Sequence, residues 1–295
     1  MELPAQHHIA PIPEITKTTM WDVAFSDSLH GLAVGDYGVI QRTSDGGRSW
    51  VPRRSSDQFA FRHVHYFSPR RAIATGFWSS VYLSDDSGET WRKVETGTKE
   101  HLIGLSAVGS KIWLSGYGGL VLVSSDSGET WNIRRAGTNN VIDAISFSDS
   151  LHGWCSSIQG GVFRTTDGGA SWNPINSPSS LPLTTLWASS PDECWAAGFN
   201  GLIARTINGG VSWRTYSVHE THFQRLFFDR FNRGWAVGRR GVIVRYEPKR
   251  DEWVLFDVAG AGELHSITDA GESVLVAVGK EGAIIRIGIP GEKKR

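Results

Sequence analysis

Apolar residues along this chain fall in short runs and never in a helical rhythm. The run Met20-Trp21-Asp22-Val23-Ala24-Phe25 is followed by a polar corner over 26–30. Gly31-Leu32-Ala33-Val34-Gly35 comes next, then a turn at Asp36-Tyr37, then Gly38-Val39-Ile40-Gln41-Arg42, and a fourth run opens at Trp50. No apolar i, i+3, i+4 pattern is sustained, so helices are not expected. Four runs of strand length divided by Gly-rich turns predict a four-stranded antiparallel meander.

The meander repeats. Between its third and fourth runs stands Thr43-Ser44-Asp45-Gly46-Gly47-Arg48-Ser49-Trp50, and the form Ser/Thr-x-Asp-x-Gly-x-x-Trp returns at 84–91, 124–131 and 165–172, then at 206–213 with Asn208 in place of Asp. The closing tryptophans lie at 50, 91, 131, 172, 213 and, in a degraded copy, 253. Steps of 40 or 41 residues mark a closed array of like units. The motif builds a self-supporting turn. Asp hydrogen-bonds the backbone ahead of it, Gly supplies positive φ, and Trp covers the loop. This reading makes it scaffold, with no need to face a ligand.

Two other registers count the units. The third run centres on Ile40, Val81, Val121, Val162, Ile203, Ile243 and Ile284, and the first on Val23, Val64, Leu105, Ile145, Leu186, Leu226 and Ile267. There are thus seven copies, and the seventh lacks the turn motif and a fourth run. The segment 5–16 precedes the first unit in the register of a fourth strand, and its prolines at 11 and 13 suit an outermost strand. The expected fold is all-β: a seven-bladed β-propeller of four-stranded antiparallel blades, closed by the N-terminal strand on the last blade so that no edge is exposed. It forms one domain over 1–295, with blades at about 20–58, 59–99, 100–139, 140–180, 181–220, 221–260 and 261–289 plus the strand from 5–16.

Charge narrows the functions. Thirty basic residues balance thirty acidic ones, so no global field favours nucleic acid or an anionic membrane. No apolar run reaches the length of a membrane span. The N-terminus has no basic-then-apolar leader, which predicts a cytoplasmic protein as written, or a periplasmic or lumenal one if a leader was removed. Cys155 and Cys194 are read as two small buried thiols, with a disulfide as the alternative.

The turn motif resembles the Asp-box, or BNR, repeat. The longer unit from Gly31 to Trp50 is similar to that of the photosystem II assembly and stability factor family of seven-bladed propellers, as are Gly234 to Arg245 and Gly198 to Trp213. The resemblance covers residues 20 to 289. It implies a non-catalytic, lumenal chaperone of reaction-centre assembly, although relatives also occur in bacteria without a photosystem. Sialidases carry Asp boxes on six blades, but their Arg-Ile-Pro signature is absent here.

Candidate sites follow from the architecture. In a propeller, the turns between second and third strands share one face with the links between blades, and the Asp-containing turns lie on the opposite rim. The turn pairs on the first face read Asp36-Tyr37, Phe77-Trp78, Tyr117-Gly118, Ile158-Gln159, Phe199-Asn200, Arg239-Arg240 and Lys280-Glu281. Water-exposed tips gain no stability from rings, and aromatics with arginine compose a binding hot spot. The expected binding residues are therefore Tyr37, Phe77, Trp78, Tyr117, Phe199, Asn200, Arg239 and Arg240, joined by Arg62, His63 and Arg225 at the mouth of the central channel. The competing reading has the rings folded back over neighbouring blades.

The function expected is a non-catalytic protein-binding scaffold, a monomer with a protein or peptide partner and no cofactor. The alternative is an enzyme or small-ligand binder, for a glycan or secondary metabolite, in which Arg62, Asp143, Arg225 and His265 orient a polar substrate at the channel mouth. The same side chains could instead satisfy one another as a plug. His219-Glu220-Thr221-His222 could meet His101 or His265 around zinc, but its spacing matches no zinc signature and no metal is expected. His30 and His152 stand at the same corner of two repeats and are read as turn residues.

Overall fold

A computed structural model describes residues 10–11, 17–54, 58–218, 220–256 and 262–289. Among these residues the strands pair in seven antiparallel sheets of four. The first takes Met20–Phe25, Gly31–Gly35, Val39–Thr43 and Val51–Arg54 in chain order, and the next five repeat that plan. The seventh takes Leu264–Asp269, Val274–Gly279 and Ile284–Gly288, and Ala10–Pro11 completes it. Ala10 stands opposite Arg286 and Pro11 opposite Ile285, so the expected closure is formed. The rest of the predicted 5–16 strand lies outside the described residues. The first strand of blade one lies against the first strands of blades two and seven, which makes the array a ring.

The apolar registers show why the ring holds. Ile40, Val81, Val121, Val162, Ile203, Ile243 and Ile284 are all buried. They sit opposite Val34, Thr75, Ser115, Ser156, Ala197, Val237 and Val278 of the second strands. The core is layered. Leu32, Val34 and Ile40 of blade one pack on Phe61, Val64 and Ala74 of blade two. Met20, Val23 and Ala33 pack on Val276, Val278 and Ile284 of blade seven. Each layer thus belongs to two blades, and no blade buries its faces alone. The second strand is sandwiched between layers, and Gly31–Gly35 is buried at every position. Cys155 and Cys194 are free and buried, and they belong to different layers, one with Trp113 and Ile142 and the other with Trp154 and Leu186.

The Asp-containing turns behave as scaffold. Thr43 Oγ1 donates to Asp45 Oδ1 (2.8 Å) and accepts from the Gly47 N–H (3.0 Å). Asp45 Oδ1 also accepts from the Arg48 and Ser49 N–H groups at 2.9 Å, and Oδ2 from Ser49 Oγ at 2.6 Å. Partial burial opposes the charge, but the bonds from Ser49 and Thr43 outweigh it and hold the carboxyl at about 2. In the fifth blade Asn208 keeps the geometry, because its amide donates to Ser212 Oγ (2.9 Å) where the other boxes have the hydroxyl donating. In the sixth blade Glu247 pairs with Glu252 around a short charged loop, and Trp253 alone survives from the motif, buried. His30 and His152 are turn residues as expected, each with Nδ1 against the Asp three positions earlier.

Candidate recognition face and channel mouth

The turns between second and third strands share a face with the blade links, opposite the Asp boxes. The Gly38 N–H donates to Phe59 O, the Ser79 N–H to Glu100 O and the Gly119 N–H to Asn140 O, tying each tip to the following link. The Asp36, Phe77 and Tyr117 N–H groups tie the same tips to the preceding link, at Thr19, Ala60 and His101. The Gly46 N–H instead bonds Leu29 O in the corner between first and second strands, on the other rim.

These tips carry backbone strain. In blade one the Val39 N–H bonds the Asp36 carbonyl, closing a turn whose two central residues both need positive φ. The second central residue is Gly38, Gly119, Gly201, Gly241 or Gly282, or Ser79 at φ 55 in blade two. The first central residue is Tyr37 (φ 56), Trp78 (φ 55), Arg240 (φ 61) or Glu281 (φ 57), and only Gly118 and Asn200 are of the favoured type. A large L side chain there costs about 1 kcal/mol. Blade four departs from the plan, with positive φ only at Gly160, so Ile158 and Gln159 are unstrained.

The two strained rings, Tyr37 and Trp78, are exposed, and so is the unstrained ring of Tyr117. Tyr37 is 77% exposed, Trp78 52% and Tyr117 46%. Trp78 lies 5.8 Å from Phe59 and 4.7 Å from His101 by ring centroids, and His101 lies 5.0 Å from Tyr117. An aromatic arc thus runs over blades two and three, beside the Arg135–Glu100 pair at 2.8 Å. The fold-back alternative holds for two residues. Phe77 meets His101 edge-on at 4.9 Å and Phe199 meets His222 at 4.4 Å, and both are half-buried. Arg239 is drawn to Glu263 (3.4 Å), while Asn200 and Arg240 stay exposed. The expected set is therefore split: Phe77, Trp78 and Tyr117 come together, whereas Phe199, Asn200, Arg239 and Arg240 lie on blades five and six. Sequence reasoning missed Phe59 and assigned His101 only a metal role. Both sit in links just before an inner strand, and that position was the available signal.

The channel mouth lies inside this face. Every first strand carries one bulge there, at Trp21, Arg62, Ile103, Asp143, Thr184, Gln224 and His265. A bulge re-aims a side chain out of the regular alternation. The Arg62 guanidinium lies 3.8 Å over Trp21 and 5.8 Å from Phe77. Trp21 stacks on His265 at 4.2 Å and donates Nε1–H to Asp36 Oδ1 (2.7 Å). His265 Nδ1 donates to Met20 O (3.0 Å), and burial lowers its pKa.

One level in, Asp22 accepts from Ser266 Oγ (2.6 Å) and the Val64 N–H (3.2 Å) and faces His63 Nδ1 (3.2 Å), whose Nε2 reaches Ile103 O (2.6 Å). Burial opposes the Asp22 charge, but Arg225 and the bonds from His63 and Ser266 prevail and hold it at about 2. Asp143 behaves in the opposite way: burial, only partly offset by Arg62, pushes it up to about 6. The expected mutual plug is therefore partial. His63 is bound into it, but Arg62 rests on rings, and a cavity of about 410 Å³ remains along the inner strands.

Among the described residues no cluster of three or more His, Cys, Asp or Glu is placed to hold a metal ion. His219 lies outside them, and His101, His222 and His265 each pack on a different ring. No helix of the described residues is long and apolar enough to cross a membrane.

Residues 8–101 match the family model for photosynthesis system II assembly factor YCF48. The photosystem II assembly lipoprotein Ycf48 of Synechococcus sp. (strain CC9902) is 31% identical over 87 residues, 28% of this chain, and the match spans about a quarter (26%) of that relative. Among solved structures, YCF48 bound to D1 peptide superposes with a TM-score of 0.80 at 21% identity, covering 98% of this chain and 97% of that one. YCF48 from Cyanidioschyzon merolae gives 0.78 at 18% identity, covering 95% and 98%. The WD40 β-propeller domain of Doa1 gives 0.81 at 13% identity, covering 98% of each chain, so backbone likeness alone identifies only the fold. The repeat chemistry and the ring of seven sheets make this chain a seven-bladed Asp-box propeller, and over residues 8–101 it is similar to photosynthesis system II assembly factor YCF48.

Proposed function

We propose that this propeller is a non-catalytic assembly platform that receives an extended protein segment on the face formed by the second-to-third-strand turns and the blade links. The observation that carries this reading is the backbone of the tips. Tyr37 and Trp78 hold large rings out to solvent from left-handed positions that stability alone would fill with Gly or Asn. Trp78, His101, Tyr117 and Phe59 supply a rigid aromatic arc, and Arg240 supplies an exposed cation across the face. A similar propeller has been solved with a D1 peptide bound. A peptide from that protein is the first partner to try, and an exported, lumenal or periplasmic site of action goes with it.

The test titrates a fluorescent D1 peptide, alongside an array of peptides from host membrane proteins, with the unaltered chain, Trp78→Ala, and the double variant Arg239→Ala/Arg240→Ala. Peptide capture is expected to weaken at least tenfold in each variant with the melting temperature unchanged. Capture that survives both would place the site elsewhere.

A further inference from the structure

The channel holds two arginines that feel carboxylates only through space and make no close ion pair among the described residues. Arg62 and Arg225 line the cavity from blades two and six. The Nε of each is buried without a hydrogen bond, and neither guanidinium forms an ion pair among the described residues. A buried N–H without an acceptor is costly, and two half-buried arginines that face one cavity with such an Nε each leave room for an anionic guest. The carboxylates nearby do not serve. Asp22 spends its oxygens on Ser266, His63 and the Val64 N–H. Asp36 is engaged by Trp21 and sits in the tip turn. Asp143 influences Arg62 only through space.

We infer that the channel mouth is a binding site for a small oxoanion, a carboxylate or phosphate group on a compact molecule, held between Arg62 and Arg225. Guanidinium presents paired N–H donors that match both groups. Trp21 and Phe77 hold Arg62 in place without competing for its protons, and the cavity of about 410 Å³ admits a compact ligand. Asp143 faces the same space and repels the guest, so it sets the affinity. The site lies inside the face that carries the tips and shares Phe77 with them, but its anion binding is read without any peptide.

Calorimetric titration of the full chain with inorganic phosphate and with succinate tests the assignment. Saturable binding of at least one anion at millimolar concentration is expected, and the preferred one identifies the group. Arg62→Met and Arg225→Met should each weaken it at least tenfold, while Arg53→Met, which removes a like charge from the opposite rim, should leave it unchanged. Asp143→Asn should tighten binding about tenfold, a gain that no folding defect imitates. No saturable binding of either anion, equal loss in Arg53→Met, or an Asp143→Asn variant no tighter than the unaltered chain overturns the site and leaves the cavity to water.

Discussion

Individual residues on this face trade stability for presentation. Tyr37 is the clearest case, because its ring is exposed and its φ is 56. Tyr37→Gly is expected to raise stability by about 1 kcal/mol in urea unfolding while weakening peptide capture. A variant that loses both would show the ring to be structural. The two channel carboxylates give opposite pH behaviour. Asp22 is held at about 2 against the ordinary aspartate value of 3.8, so its contribution is present above 3.8 and is lost as pH falls towards 2. Asp22→Asn should cost about 2 kcal/mol at neutral pH, and the difference should vanish in strong acid. Asp143 is raised from 3.8 to about 6, so the folded state binds its proton more tightly and stability falls as pH rises across that window. Asp143→Asn should therefore stabilise by about 3 kcal/mol at neutral pH and do nothing near pH 3. Denaturant curves across pH read both signs.

At the scale of the element, the Asp box is a turn whose charge is optional and whose hydrogen bonds are not. Asp167 repeats the Asp45 pattern, with Oδ1 accepting from the Ser171 N–H (2.9 Å) and Oδ2 from Ser171 Oγ (2.6 Å). Asn208 achieves the same closure with its amide donating. Asp167→Asn should thus cost less than about 1 kcal/mol and Asp167→Ala about 2 kcal/mol, because only the latter leaves N–H groups without acceptors. Equal losses would mean that the carboxylate charge holds the turn. The opposite turns follow another logic: the same hairpin geometry recurs in six blades, so their side chains vary without altering the scaffold.

For the molecule as a whole, stability resides between blades. Each apolar layer needs the next blade, and the layer joining Met20 and Val23 to Val276 and Val278 closes the circle. The last blade depends for its outer edge on Ala10–Pro11. Deleting residues 1–16 should leave the outer edge of Ile284–Gly288 unpaired, lower the melting temperature and promote edge-to-edge association detectable by light scattering. A truncated chain as stable and monodisperse as the full one would show the closure to be dispensable.

The ring of seven was legible in the sequence because a strand's alternation is local and a 41-residue rhythm repeats it, so Ile40 and its six counterparts could be counted without coordinates. The face bearing Tyr37, Trp78 and Tyr117 was legible for the same reason, since side follows from position within the unit. What only the folded molecule decided depends on contacts between units. Phe77 and Phe199 are half-buried against the histidine of the next link, while Trp78, beside the same His101, stays exposed. Asp22 takes its partners from blades two and seven, 42 and 244 residues away, and so leaves Arg62 to a tryptophan rather than to an acid. Periodicity sets each residue's place in its own blade, but charge and ring partners are chosen across the channel, where sequence separation carries no information about distance.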